Sequence, residues 1–279
     1  MNITDQELIY FLKVFKENSD YDLSDYSEKS ISRRIFKILS DNKMPFGKFI
    51  TNLRNDKDFV EQTLKDITVN TTELFRDPSA WHTLRYRILP KLKDNKSITI
   101  WHAGCSSGQE VYSMLILLNE LNLLDKTKVI ASDINDDILA RAKTGNYKYR
   151  FNLNYLDNFD KVIKENPLNY DDYRDVPYEK YFEINKAKDT LQVKDFLLEK
   201  PIFRKHDLVK GEPFPFVKFD LILCRNVIIY FNSDLQSRVL NLFHSSLYKG
   251  SSLVLGAHES ILGPISAKYK KKAGFYVTL

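Results

Sequence analysis

No stretch of this 279-residue chain approaches the roughly 18 consecutive apolar residues that a membrane-spanning helix needs. Membrane insertion is therefore not expected. The opening residues, MNITDQELIYF, lack a basic region followed by an apolar one, so no signal peptide is expected either. There are only two cysteines, Cys105 and Cys224, far apart and at no metal-ligand spacing. That excludes a cysteine metal site and suits a reducing cytoplasm. Net charge is a mild +5, part of it in Lys268, Lys270, Lys271 and Lys272. No extended basic run with interleaved aromatics accompanies these lysines, so they read as solvated surface and no nucleic-acid partner is expected. Repeats and low-complexity tracts are also missing. The remaining composition, 43% hydrophobic and 28% charged, is that of a globular protein with a sizeable core, and argues against long disorder.

Residues 1–75 read as a small helical domain. Leu8, Phe11, Leu12 and Phe15 recur at helical spacing. Ser24 or Asp25 is placed to cap a second helix carrying Ile31, Ile35, Ile38 and Leu39. Pro45 opens a third, and a fourth runs from about Lys57 to Thr68. Pro78 to Leu92 continues as one helix, making 76–96 a connector. From Ser97 strands alternate with helices: SITIWHAG, Glu110 to Leu121, KVIASD, Asp136 to Thr144, PIFRKHD, FDLILCRN, Asp234 to Leu247, SSLVLGA, and a closing hairpin at Gly274. This alternation predicts an α/β fold over 97–279, a parallel sheet with helices on both faces. The Tyr- and Asp-rich stretch at about 147–200 breaks the rhythm. It reads as an insertion, with short antiparallel strands over roughly Tyr181 to Leu198.

GCSSG (Gly104 to Gly108) lies between a predicted strand and a predicted helix, where glycine lets the backbone turn or a ligand come close. The helix that follows offers free N–H groups. Asp133 ends the second strand, where an acidic residue of such a sheet reaches ribose hydroxyls. A pyrophosphate site would carry GxGxxG. Here the spacing is GxxxG with Glu110 just beyond, and a carboxylate there would repel phosphate. The pattern suits a ribose-bearing cofactor without phosphates, as S-adenosylmethionine is. The plainer alternative is a tight turn with Asp133 as a helix cap. In FDLILCRNVIIYF, Arg225 and Asn226 follow a buried strand and face the ligand crevice of an open α/β sheet. Arg225 could equally serve as a salt-bridge partner, and Tyr230 as either a core aromatic or a catalytic group.

Taken together these segments resemble the CheR-type chemotaxis methyltransferases. VNTTELFRD (Val69 to Asp77) is similar to that family's N-x-T-x-F-F-R segment. IWHAGCSSGQEVYS resembles its W-x-A-x-x-S-x-G-E-E-P-Y-S block, and ASDINDDILARAKTGNY, FDLILCRNVIIYF and LVLGAHES resemble three more. The resemblance implies a helical N-terminal domain, a linker and a Rossmann-like S-adenosylmethionine-binding domain with a small β insertion. It also implies methyl ester formation on chemoreceptor glutamates, with S-adenosylhomocysteine as product. By position, the implied cofactor contacts are Asn70, Thr72, Arg76, Gly104, Glu110, Asp133, Asp207, Leu208, Arg225 and Asn226. Arg76 and Tyr230 would lie near the transferred methyl. Three departures stand out: Asp207 where the family has Asn, Leu74 in the FFR segment, and Gln109 and Val111 in place of a Glu and a Pro.

A glutamate side chain, with a pKa of about 4.3, is already ionised at neutral pH, so ester formation on it needs no general base. No clear His–Asp pair is offered. Alignment of the reactants should do the work, worth roughly 7–11 kcal/mol when complete. Arg33, Arg34 and Lys37 in the second predicted helix read either as a solvated face or as a basic face that steers acidic receptor helices. The expected partner is the cytoplasmic domain of a chemoreceptor, met by a monomer. Two other classes stay open: a regulatory protein that keeps the pocket without transferring methyl groups, and a methyltransferase with another substrate.

Overall fold

Four amphipathic helices are laid down by the apolar spacing read above: α1 (Asp5–Asn18), α2 (Glu28–Asp41), α3 (Phe46–Asn55) and α4 (Lys57–Ile67). Thr4 and Glu7 form a reciprocal capping box at the start of α1. The cap of α2 is Ser27, three residues past Ser24, because Ser24 is held in a turn by the Asp22 carboxylate at 2.9 Å. The buried faces meet around Phe11, Phe15 and Phe49, whose rings lie 5.5–5.7 Å apart. The computed structural model describes residues 3–68, 71–150 and 153–279. It divides into two compact units. The first comprises Met1–Val69, Val209–Gly211 and Val227–Leu240; the second comprises Asn70–Leu208, Glu212–Asn226 and Asn241–Leu279.

Within the first unit, backbone bonds tie the late segment to the segment before α2. Ser27 N–H donates to the Tyr230 carbonyl at 2.8 Å, and Asn232 N–H to the Asp25 carbonyl at 2.9 Å. Tyr26 and Phe231 pack edge to face at 5.1 Å.

The second unit begins with α5 (Pro78–Thr83), whose last turn widens before tightening. Leu89 N–H bonds the Leu84 carbonyl, a five-residue reach, and Leu89–Leu92 closes as a 3-10 turn. Pro90 has no N–H to give, so a regular helix cannot run through to Leu92 as the sequence pattern suggested.

The strands are β1 (Ile98–Ala103), β2 (Thr127–Asp133), β3 (Asn146–Lys148), β4 (Phe182–Asn185), β5 (Thr190–Val193), β6 (Pro201–Lys205), β7 (Phe219–Cys224), β8 (Leu247–Leu255), β9 (Tyr269–Lys272) and β10 (Phe275–Thr278). Among the described residues a seven-stranded sheet runs β6-β2-β1-β7-β8-β10-β9. β6, β2, β1, β7 and β8 are parallel, and the β9–β10 hairpin closes one edge antiparallel. β1 and β7 are apolar almost throughout because helices cover both faces. α6 (Gln109–Glu120) is buried nearly all round, as its run from Val111 to Leu118 requires. α7 (Asp136–Thr144) follows β2.

The insertion contains α8 (Leu153–Phe159), α9 (Asp195–Leu198) and a separate sheet ordered β3-β5-β4, antiparallel throughout. Its hairpin lies where the sequence pattern put short strands, and Asn146–Lys148 adds a third strand. α10 (Ser233–Ser246) passes directly into β8. Among the described residues no helix is long and apolar enough to cross a membrane.

Candidate functional site

The carboxyl ends of β1, β2 and β7 gather the polar residues of the second unit. Gly104 and Cys105 turn the chain by donating both N–H groups to the Ser132 carbonyl, at 2.8 and 2.9 Å. Gly108, at φ 89°, starts α6; a Cβ there would press within 3.1 Å of Ala142. The turn is thus fixed by backbone geometry and close packing.

Asp133 is buried, and each of its oxygens accepts one backbone N–H, from Ser106 at 2.9 Å and from Asn135 at 3.1 Å. Burial pushes its carboxyl above the usual range, and these hydrogen bonds only partly offset that. A carboxylate has about four lone-pair sites, so acceptors remain for a diol. The cap of α7 is Asn135, which takes the N–H groups of Asp137 and Ile138. Asp133 is therefore not spent as that helix's cap.

Glu110 stands in the first turn of α6. Its Oε1 is 2.8 Å from His102 Nδ1 on β1, and its Oε2 accepts from Arg225 Nη1 at 3.0 Å. Arg225 is 2% exposed. Its Nη2 donates to Asp77 Oδ2 at 2.9 Å and to the Arg76 carbonyl at 2.7 Å, and its guanidinium lies 5.9 Å from the Trp81 ring. Trp81 Nε1 donates to that same carbonyl at 3.0 Å. Burial pushes the Glu110 carboxyl up, but the His102 bond and the Arg225 charge outweigh it and hold the group below the ordinary carboxylate range. The Arg225 salt bridge is therefore real, and it organises two carboxylates of the site.

Backbone strain collects here. Among the described residues, Phe75, Asp77, Ser106 and Asn226 are four of eight non-glycine positions with positive φ. Such residues persist where the surroundings over-determine them, often around ligands. Phe75 is held by its N–H to Ser113 Oγ at 2.8 Å and by edge contacts to Trp81 and Phe159. Asn226 donates its N–H to Glu259 Oε2 at 2.9 Å, and the Gly256 N–H reaches the same oxygen at 2.6 Å.

The second unit thus brings together Arg76, Gly104, Glu110, Asp133, Arg225 and Asn226. Arg76 is half-buried, with Nη1 on the Thr71 carbonyl at 3.3 Å. Thr72 and Asp207 are half-buried, and Leu208 is 8% exposed. Asn70 lies outside the described residues. Tyr230, half-buried, belongs to the first unit, as do Arg33, Arg34 and Lys37. His102 passed for one more position of an apolar strand, while Asp77 and Glu259 stood inside the segments VNTTELFRD and LVLGAHES without being given a role of their own. For His102 the signal was a histidine amid apolar neighbours in β1.

The donor set fits a cofactor that is cationic rather than phosphorylated. Asp77 and Glu110 both pair with the buried Arg225, and Asp133 adds a third carboxylate. The chain is an S-adenosylmethionine-dependent methyltransferase, as its family and relatives show. The description "CheR methyltransferase, SAM binding domain" matches residues 70–165 and 169–274, and the chain belongs to that family. Cher3 of Pseudomonas putida, provisionally named a methyltransferase, is 34% identical over 92% of this chain and 90% of its own length. The chemotaxis protein methyltransferase of Borreliella burgdorferi is 32% identical over 96% and 93%, and that of Listeria innocua 30% over 93% and 92%. The N-methyltransferase NodS from Bradyrhizobium japonicum, solved with S-adenosyl-L-homocysteine, is 12% identical over 66% of this chain and 62% of its own, with a TM-score of 0.34.

Proposed function

We propose that this enzyme esterifies glutamate side chains of chemoreceptors in chemotaxis adaptation, using S-adenosylmethionine and releasing S-adenosylhomocysteine. The family match across residues 70–165 and 169–274 carries the reading, and the chemotaxis names of relatives aligned over nine-tenths of their length support its substrate. The reaction takes place in the cytoplasm, by a monomer, with no nucleic acid involved. The two buried free thiols accord with a reducing compartment.

Bound S-adenosylmethionine supplies a methyl group on a sulfonium, activated for in-line displacement. In this reading Asp133 accepts from the ribose hydroxyls, and Glu110 meets the ammonium of the amino-acid tail. Thr72, Asp207, Leu208 and Asn226 complete the cofactor contacts, with Asn70 assigned by the resemblance alone. Arg225 holds Glu110 and Asp77 in register. Arg76 attracts and places a carboxylate. Tyr230 orients the incoming glutamate through its hydroxyl, and Arg33, Arg34 and Lys37 steer the acidic receptor helices. The attacking carboxylate is already charged, so no proton has to move and catalysis rests on alignment.

Tyr230→Phe should lower turnover about tenfold, ~1.4 kcal/mol of barrier, with cofactor affinity unchanged. Steady-state methylation and calorimetry separate the two quantities. Turnover equal to that of the unsubstituted enzyme would remove Tyr230 from the mechanism.

A further inference from the structure

His102 is fully buried, on β1 between Ala131 of β2 and Leu223 of β7. The centre of a parallel sheet covered on both faces is a costly place for an imidazole. An apolar side chain would fill it without desolvating two ring nitrogens. A histidine kept there for core packing would be expected to satisfy both nitrogens, since buried polar groups rarely go unpaired. This one satisfies one. Nδ1 sits 2.8 Å from Glu110 Oε1, while Nε2 is buried with no hydrogen-bond partner among the described residues. The sheet therefore carries the cost of an orphaned nitrogen for a single bond, and that bond goes to Glu110.

We propose that His102 is a positioning residue, which fixes the Glu110 carboxylate in the one orientation that receives the ammonium of the cofactor's amino-acid tail. The inference rests on the reading of Glu110 as a cofactor contact.

Glu110 is a long side chain, 16% exposed, at a helix start. Arg225 alone would hold one oxygen, and its guanidinium is shared with Asp77. The second anchor, on Oε1, fixes the plane of the carboxylate, so that its two remaining lone-pair directions are defined before a ligand arrives. The choice of residue type also follows. The carboxylate can only accept, so the ring proton lies on Nδ1. A proton on Nε2 would be a buried donor with no acceptor, and that nitrogen therefore carries none. His102 thus donates without adding charge. Two carboxylates, Glu110 and Asp77, remain against one guanidinium, leaving a negative excess for a cation to meet. A lysine or arginine at 102 would cancel it.

The test compares S-adenosylhomocysteine binding by calorimetry in His102→Leu, His102→Asn and Glu110→Gln. Leucine keeps the volume without the donor; the asparagine amide restores a donor near Nδ1. His102→Leu should bind about tenfold more weakly, the loss of one hydrogen bond to a charged group. At saturating cofactor its turnover should stay within about twofold, and His102→Asn should recover to within about threefold of the unsubstituted affinity. Unchanged affinity in His102→Leu, or no recovery in His102→Asn, overturns the inference while a weakened Glu110→Gln leaves Glu110 a contact. Unchanged affinity in Glu110→Gln removes that contact and the inference with it. Nitrogen-15 histidine spectra of the unsubstituted protein decide independently of folding in any variant. A proton on Nδ1 and none on Nε2 is expected, and the reverse tautomer contradicts it.

Discussion

Asp133 and Glu110 lie in one site yet are pushed in opposite directions. Burial raises Asp133, and for Glu110 the His102 bond and the Arg225 charge overcome burial. In the free protein a raised carboxyl gives stability that is complete below its unfolded value and is lost as pH rises through the folded one. A lowered carboxyl gives stability that is present above its unfolded value and is lost as pH falls through the folded one. As pH falls, Asp133 is therefore protonated first and cofactor affinity declines with it. Asp133→Asn should weaken binding about tenfold at neutral pH and abolish the acid decline, through loss of a charged acceptor. Glu110→Gln should weaken binding but keep the decline. Calorimetry run from neutral pH downward into the ordinary carboxylate range checks both. Much of this site was legible in the sequence, since Gly104, Glu110, Asp133 and Arg225 stand at strand ends or helix starts, where pattern alone places ligands. The partners of His102, Asp77 and Glu259 were not, because those contacts reach across 8, 148 and 33 residues.

Individual elements carry two further expectations. In α2, Arg33 and Lys37 are exposed, Lys37 pairing with Asp41 at 2.8 Å, while Arg34 is half-buried with its Nε unpartnered among the described residues. Reversing charge at Arg33 and Lys37 should slow receptor methylation about tenfold at low salt and less at 0.5 M, roughly where screening shortens below 5 Å. Cofactor affinity should not change; equal methylation rates would leave α2 a solvated face. Arg85 is a different case. Its guanidinium is buried and donates to the carbonyls of Val162, Ile163 and Glu165, closing the helical turns after α8. Arg85→Met should cost about 2–3 kcal/mol, because buried carbonyls lose their donor. Chemical denaturation measures this. The sequence showed helical character at 78–92 but not the widened turn, which depends on how Pro90 withholds its N–H.

At the scale of the whole molecule, the alternation of strands and helices after Ser97 made the α/β fold readable, because two-sided burial imposes near-continuous apolar strands. The sequence did not show that Val227–Leu240 belongs with the first 69 residues, since that grouping rests on backbone bonds from Ser27 and Asn232 that leave no pattern. Tyr230 thus sits in the same unit as α2, while Glu110, Asp133 and Arg225 sit in the other. Methyl transfer to receptor glutamate is the reaction proposed for this enzyme. Its most direct test is incubation with methyl-labelled S-adenosylmethionine and membranes carrying chemoreceptors, followed by mild alkali. The expected result is label on the receptor band that alkali releases as methanol, and none when the acceptor glutamates are replaced by alanine. Label that resists alkali, or that appears on no receptor band, would contradict it.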